Sequence, residues 1–240
     1  MQYKYCDNMN FEDYASGRVL YSAEGAANFP VRLVNEIFGY AKEYATKNID
    51  LCVYDPCCGG GYSLTVLGFL NQEAIGKLYG SDVNSQMVEV AEKNLALLNE
   101  KGLEKRKAEI QMLFDKYGKE SHAAALESVD RLKNSKKKDI PAETFVADCT
   151  EALPQISPDI IITDIPYGNL VEWNSKSTAP LYDMLHQLAA ISKEGTILAI
   201  SMDKKQNAVH PAWIRRKKQI VGKRKFEIYT ASSSRSQSDE

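Results

Sequence analysis

Val53-Tyr54-Asp55-Pro56-Cys57-Cys58-Gly59-Gly60-Gly61-Tyr62 is the stretch whose reading decides the fold. Leu51 to Tyr54 is a short, apolar, β-prone run, and Ser63 to Leu70 has the apolar content of a buried helix. The glycines therefore stand at a strand-to-helix corner. Glycine there admits positive φ and lets a ligand come close to the main chain. At the carboxyl end of a first parallel strand, such a corner is where doubly wound α/β sheets take nucleotide-like ligands. The dinucleotide fingerprint asks for a third glycine three residues after the second. Gly59 and Gly61 fill the first two places, but the third holds Leu64. Asp55, directly ahead of the turn, would repel a pyrophosphate and favour a cation.

Working outward, the second strand reads as Lys77 to Val83 and ends in an acid, Asp82, about twenty residues after the glycines, where nucleotide-binding α/β folds place a ribose-binding carboxylate. Asp82 also suits the N-terminus of a helix over Ser85 to Leu98, and the two roles are compatible. Glu143 to Cys149 reads as a third strand with Asp148 at its end. The almost continuous apolar run Asp159 to Thr163 reads as a central strand buried on both faces, ending in Asp164-Ile165-Pro166-Tyr167. Acids thus recur on one sheet edge. Pro30 suits the first turn of a helix running to Tyr44. Leu103 to Tyr117 and Ser121 to Leu132 form a helical hairpin inserted between strands two and three, its basic residues read as a solvated face. A helix from Thr178-Ala179-Pro180, capped by a hydroxyl, runs to Ile191, and Thr196 to Met202 makes a fifth strand. Gln219 to Val221 and Lys225 to Tyr229 form a hairpin about Gly222.

The expected organisation is one elaborated domain over 1–240, with an N-terminal extension over 1–48, the helical insertion over 100–141 and a disordered tail over 231–240. The net charge of −2 and pI near 6.0 carry no global sign of nucleic-acid binding, so such a surface has to be local. The acid-free segment Lys204 to Lys225, with Lys204, Lys205, Arg215, Arg216, Lys217 and Lys218 about Trp213, is the candidate for tracking phosphates. A merely solvated run is the competing account. No apolar stretch reaches membrane-span length and the first residues lack a signal peptide's apolar centre, so a cytoplasmic monomer is expected. Five cysteines without paired spacing indicate neither a disulfide framework nor a metal site. Three of them crowd the glycine corner, and small buried cysteines pack well there.

Asp55-Pro56-Cys57-Cys58-Gly59-Gly60-Gly61 resembles the Asp-Pro-x-x-Gly-x-Gly first motif of class I S-adenosyl-L-methionine (SAM)-dependent methyltransferases. That resemblance implies a Rossmann-like seven-stranded sheet with helices on both faces. It also implies SAM held by Asp55, Pro56, Cys57, Gly59 and Gly61, with Asp82 and Val83 at the ribose and Asp148 and Cys149 at the adenine. Asp164-Ile165-Pro166-Tyr167 resembles the (Asn/Asp/Ser)-Pro-Pro-(Tyr/Phe) motif of methyltransferases acting on planar exocyclic or amide nitrogens. Such nitrogens are poor nucleophiles because the lone pair is delocalised, so alignment is the main lever. The Asp164 carboxylate and Ile165 carbonyl would accept from the amine, Pro166 would fix the turn, and Tyr167 would offer a stacking ring to a base out of its helix. Asp for Asn and Ile for the first Pro are departures from the commonest form.

With Leu64-Thr65-Val66-Leu67-Gly68, Val19-Leu20-Tyr21-Ser22 and Phe29-Pro30-Val31-Arg32-Leu33, these motifs look like the avilamycin-resistance (AviRa) family of rRNA methyltransferases. The resemblance implies methylation of guanine N2 in large-subunit rRNA, free or in a ribosomal particle. The motifs alone leave N6-adenine or glutamine-amide methylation open, and a SAM-binding RNA module without turnover is the alternative of another class.

Overall fold

The computed structural model describes residues 3–22, 29–165, 173 and 177–232. Its centre is a seven-stranded sheet in the order β3-β2-β1-β4-β5-β7-β6. The strands are β1 (Leu51–Asp55), β2 (Ile75–Asp82), β3 (Ala142–Val146), β4 (Ile160–Asp164), β5 (Ile197–Asp203), β6 (Trp213–Val221) and β7 (Arg224–Ala231). The first five run parallel, and β7 lies antiparallel between β5 and β6.

Alternation along each strand divides the core in two. Ile160 and Ile162 of β4, Ile197 and Ala199 of β5, and Phe226 and Ile228 of β7 join one cluster. Ile161, Leu198, Ile200 and Tyr229 join the other. The first face is covered by α1 (Val31–Tyr44), α2 (Tyr62–Leu70) and α3 (Ser85–Ala96), and the second by α6 (Pro180–Ala190). Helix α3 starts where expected because the Asn84 Oδ1 accepts from the N–H groups of Gln86 and Met87. Helix α6 departs from expectation. Its N-cap is Ala179, with no side-chain cap, and the nearby hydroxyl that engages it is Ser177, bonded to Asp183.

The inserted hairpin is α4 (Glu100–Tyr117) and α5 (Glu120–Ser135), turned at Gly118, which takes φ 60°. Several of its basic residues are engaged within the protein, while Lys101 and Lys105 are exposed as expected. Arg106 Nε donates to the Val19 carbonyl at 2.7 Å and its guanidinium lies over Tyr21, while Arg131 forks onto Asp13. Lys107 pairs with Asp130 and Lys133 with Glu100. The insertion therefore clasps the N-terminal extension against the sheet.

Three further expectations change. Strand β3 stops at Val146, because the Asp148 Oδ1 accepts from both the N–H and the hydroxyl of Thr150 and turns the chain. Strand β6 begins at Trp213, well before Gln219, since Trp213 is buried with its Nε1 donating to the Leu185 carbonyl. Ala231, expected in the tail, belongs to β7, and the Ser232 N–H donates to the Ala212 carbonyl. Residues 233–240 lie outside the described residues.

Candidate active site

The glycine corner folds as its composition requires. The Cys57 N–H donates to the Asp55 Oδ1 at 3.0 Å, which closes the first bend, and Gly59 and Gly61 take φ of 51° and 72°. Both values lie where side chains are disfavoured. A Cβ on Gly59 would meet nothing within 4 Å, whereas one on Gly61 would stand 2.9 Å from the Ala91 Cα. Gly61 is thus needed for helix packing, and Gly59 leaves an open cradle at the strand tip.

Asp82 ties the corner to the next strand. One carboxylate oxygen accepts from the Gly59 N–H at 2.9 Å and the other from the Asn84 N–H at 3.0 Å. A carboxylate has about four lone-pair sites, so these bonds leave capacity for ribose hydroxyls. Asn94, buried in α3, donates to the Gly60 carbonyl at 2.7 Å and exchanges two bonds with the backbone of Tyr21. It couples the glycine corner to the N-terminal extension, a role its sequence neighbourhood does not announce.

Cys57 and Cys149 bring their sulfurs within 3.6 Å, so the turn after β3 meets the glycine corner. The neighbouring Cys149 thiol, and burial after it, push the Cys57 pKa well above the usual thiol value, and the five cysteines are free. Buried thiols held in the neutral form fit a packing role. Val83, 40 % exposed beyond β2, is an apolar surface at the same edge.

Asp55 and Asp164 line one pocket with Phe29, Val34, Ile37, Ser63, Ile162, Thr163 and Ser201. Register puts Asp164 beside Ser201, and the Ile165 N–H donates to the Ser201 carbonyl at 3.1 Å. The Ser201 Oγ is buried and has no hydrogen-bond partner among the described residues. Phe29 and Ser201 are site residues that no local motif marks. Pro166 and Tyr167 lie outside the described residues.

Burial raises the Asp55 pKa to about 7. The Cys57 N–H and Thr163 hydroxyl oppose the rise, and the charges of Asp82 and Asp164 add to it. This basin suits a cation, which would restore to Asp55 the counter-charge it lacks. The consequence for pH follows from the sign. Below pH 7 Asp55 holds its proton, so a cationic ligand has to displace it; above pH 7 the carboxylate is ready. SAM affinity is expected to rise from pH 5.5 to 7, by at most about tenfold per unit, and then level off. Titration calorimetry in buffers of different ionisation enthalpy should show a proton released near pH 6. A flat profile would remove Asp55 from the cofactor site.

The predicted basic residues divide. Lys204 and Lys205 are exposed just past the end of β5, and the Lys204 N–H donates to the Lys223 carbonyl, which joins them to the β6–β7 turn. Strand alternation and a bulge at Arg216 split the rest. Arg215 and Lys218 lie on the α6 face within 3.6 and 4.0 Å of the buried Glu227 carboxylate, while Lys217 sits 3.9 Å over the Tyr40 ring on the α1 face. Arg216 donates to the Thr230 hydroxyl. Trp213 is interior and offers no ring to a base.

Parallel strands in this order, an antiparallel seventh between β5 and β6, a glycine corner after β1 and acids at successive strand tips define a class I methyltransferase, whose cofactor is S-adenosyl-L-methionine. A family model described as rRNA methyltransferase AviRa matches residues 1–224, and the chain belongs to that family. It is 33% identical over 215 residues to a 23S rRNA (guanine(2535)-N(1))-methyltransferase of Streptomyces viridochromogenes, covering 85% of this chain and 86% of that protein. The rRNA methyltransferase aviRa structure from the same organism superposes with TM-score 0.84 at 32% identity, over 93% of this chain and 94% of that one. TrmN from Thermus thermophilus shares the fold at TM-score 0.55 and 14% identity, over 85% of this chain and 49% of that one.

Proposed function

We propose that this rRNA methyltransferase modifies a guanine of 23S rRNA on its Watson–Crick edge, at N1, as a cytoplasmic monomer. The observation that carries the reading is the shared pocket of Asp55 and Asp164, which sets a cation-binding carboxylate and a base-binding carboxylate on neighbouring strand tips of one face. Bound in the basin of Asp55, Asp82 and Asp148, SAM supplies an electrophilic methyl on a sulfonium. Asp164 accepts the N1 proton of the guanine, leaving on the ring the electron pair that becomes the new N–C bond. Val34 and Ile37 close the pocket floor against water.

The relative's named activity supports N1. The Asp164-Ile165 acceptor pair also suits the N2 amine, which is the neighbouring donor on the same edge, and this favours N2 as the second reading. Mass mapping of rRNA from cells with and without the protein, combined with reverse transcription, separates them. N1-methylguanine blocks pairing and stops the transcript, whereas N2-methylguanine is read through. Methylation of adenine, or of protein alone, would defeat both readings. Parallel incubations with free rRNA and assembled subunits identify the form acted upon.

The exposed Lys204 and Lys205, just past the carboxyl end of β5, are assigned to rRNA phosphates, whereas Arg215 and Lys218 are drawn to Glu227 and Lys217 to the Tyr40 ring on the opposite face. Exchange of Lys204 and Lys205 for glutamine is expected to flatten the salt dependence of rRNA affinity by about 1.5 in log–log slope. Lys217→Gln, whose ammonium sits over Tyr40, should change it far less. Equal slopes for wild type and the double variant would return the pair to a solvated surface.

A further inference from the structure

We infer that Arg224 and Asp164 act together as the reader of the guanine edge, Arg224 donating to O6 while Asp164 accepts from N1–H and the N2 amine. The inference rests on the guanine substrate proposed above and extends it to a residue that no motif singles out.

Arg224 opens β7. Because β7 runs antiparallel beside β5, its first residue pairs with Asp203 at the carboxyl end of the parallel strands, where Asp164 also ends β4. Even-numbered positions of β7 and β4 share the α1 face, so the two side chains come from strands on either side of β5 and meet above Ser201. Arg224 Nη1 lies 3.8 Å from the Asp164 Oδ2, and each side chain is 29 % exposed. At that separation the contact is an ion pair rather than a closed, bidentate fork. A guanidinium has five N–H donors and a carboxylate about four acceptor sites, which suits the pair to a base edge with several polar atoms. The guanidinium also lies 5.2 Å over the ring of Phe29, which lines the same pocket. Stacking of this kind fixes the plane in which its donors point.

A guanine edge presents, in sequence, an acceptor at O6, a donor at N1 and a donor at N2. A guanidinium beside a carboxylate presents one donor followed by two acceptors, the same order that cytosine offers its partner. Adenine presents a donor where Arg224 donates and an acceptor where Asp164 accepts, so both contacts turn repulsive. Discrimination therefore comes from rejection as well as attraction. The same Arg224 donors face O6, which shares the ring's negative charge as N1 gives its proton to Asp164, so the residue assists the reaction as well as the choice of base.

The test exchanges one atom on each side of the proposed bond. 23S rRNA is assembled by splinted ligation with guanine or 6-thioguanine at the nucleotide found by mass mapping, and methyl transfer is measured as kcat/KM. Sulfur accepts hydrogen bonds weakly and preserves the N1 and N2 donors. Wild type is expected to lose about tenfold on the thio substrate. Arg224→Met keeps the stem packed on Phe29; it should lose about 10- to 100-fold on guanine and lose nothing more on the thio substrate. Arg224→Lys, with one charge and no fork, should fall between. SAM affinity should be unchanged in both variants. If Arg224→Met loses the same factor as wild type when oxygen becomes sulfur, or matches wild type on guanine, Arg224 does not face O6 and the inference is overturned. Should Arg224→Met fail to fold, Arg224→Lys carries the test through its loss on guanine, and wild-type kcat/KM in that variant overturns the inference. Failure of the guanine reading is seen separately, in the mapping, before any variant is made.

Discussion

Asp164→Ala is expected to lose about 10³-fold in methyl transfer while binding SAM with its affinity intact. Removing a group that accepts a proton in the transition state costs about 10²- to 10⁴-fold, and here the same group also orients the nitrogen. The affinity should survive because Asp164 stands on β4, away from the glycine corner and from Asp82 and Asn94, which hold that corner in shape. At pH 6 it should even improve slightly, since Asp164 is one of the charges that raise the Asp55 pKa. Asp164→Asn keeps the shape and one acceptor but takes up no proton, and should still fall about a hundredfold. Single-turnover methylation of rRNA beside calorimetric SAM binding decides the matter. A variant as fast as wild type would move the chemistry off β4, and inactivity of wild type itself on every rRNA form would leave a binding module.

The second large effect belongs to Gly61→Val. At φ 72° a β-branched residue is a genuine outlier, costing about 1–2 kcal/mol from backbone sterics alone. Its Cβ would also press to 2.9 Å from the Ala91 backbone, and crowding of this kind costs about 1–3 kcal/mol. A loss of about 3–5 kcal/mol and a melting temperature lower by about 10 °C should accompany the loss of SAM binding. Gly59→Ala is the informative partner. Its φ of 51° is also unfavourable, but the space above it is open, so stability should fall by only about 1–2 kcal/mol. Its methyl fills the cradle, and SAM affinity should fall all the same. Thermal melts and binding isotherms on both variants test this, and normal affinity in a folded Gly61→Val protein would contradict the assignment of the corner.

The parts of the site that were legible in the sequence are those built from adjacent residues. Asp55, the glycines and Asp82 lie within one βαβ unit, whose alternation of apolar strand, tight turn and apolar helix is written locally. Asp164 was legible because a fully buried strand has to end somewhere, and it ends in a polar residue. The remainder is set by long-range registration. Ser201, Phe29 and Arg224 come from three distant stretches and meet Asp164 only because β7 enters beside β5. The run Arg215 to Lys218 reads as one patch along the chain, yet strand alternation sends Lys217 to the opposite face from Arg215 and Lys218, and the bulge at Arg216 returns those two to the same side. Trp213 reads as part of the basic segment because indole suits both a core and a surface, and burial against α6 decides for the core. Arg106 and Arg131 of the insertion find partners in the N-terminal extension, which no local pattern could reveal.

The position of β7 carries a consequence for biosynthesis. It is translated after the six other strands yet lies inside the sheet, wedged between β5 and β6. Until it pairs, β5 has a bare edge, β6 has no neighbour, and Arg224 is not held beside Asp164. A chain whose hairpin has not closed would therefore lack the β5–β7 pairing that sets Arg224 beside Asp164.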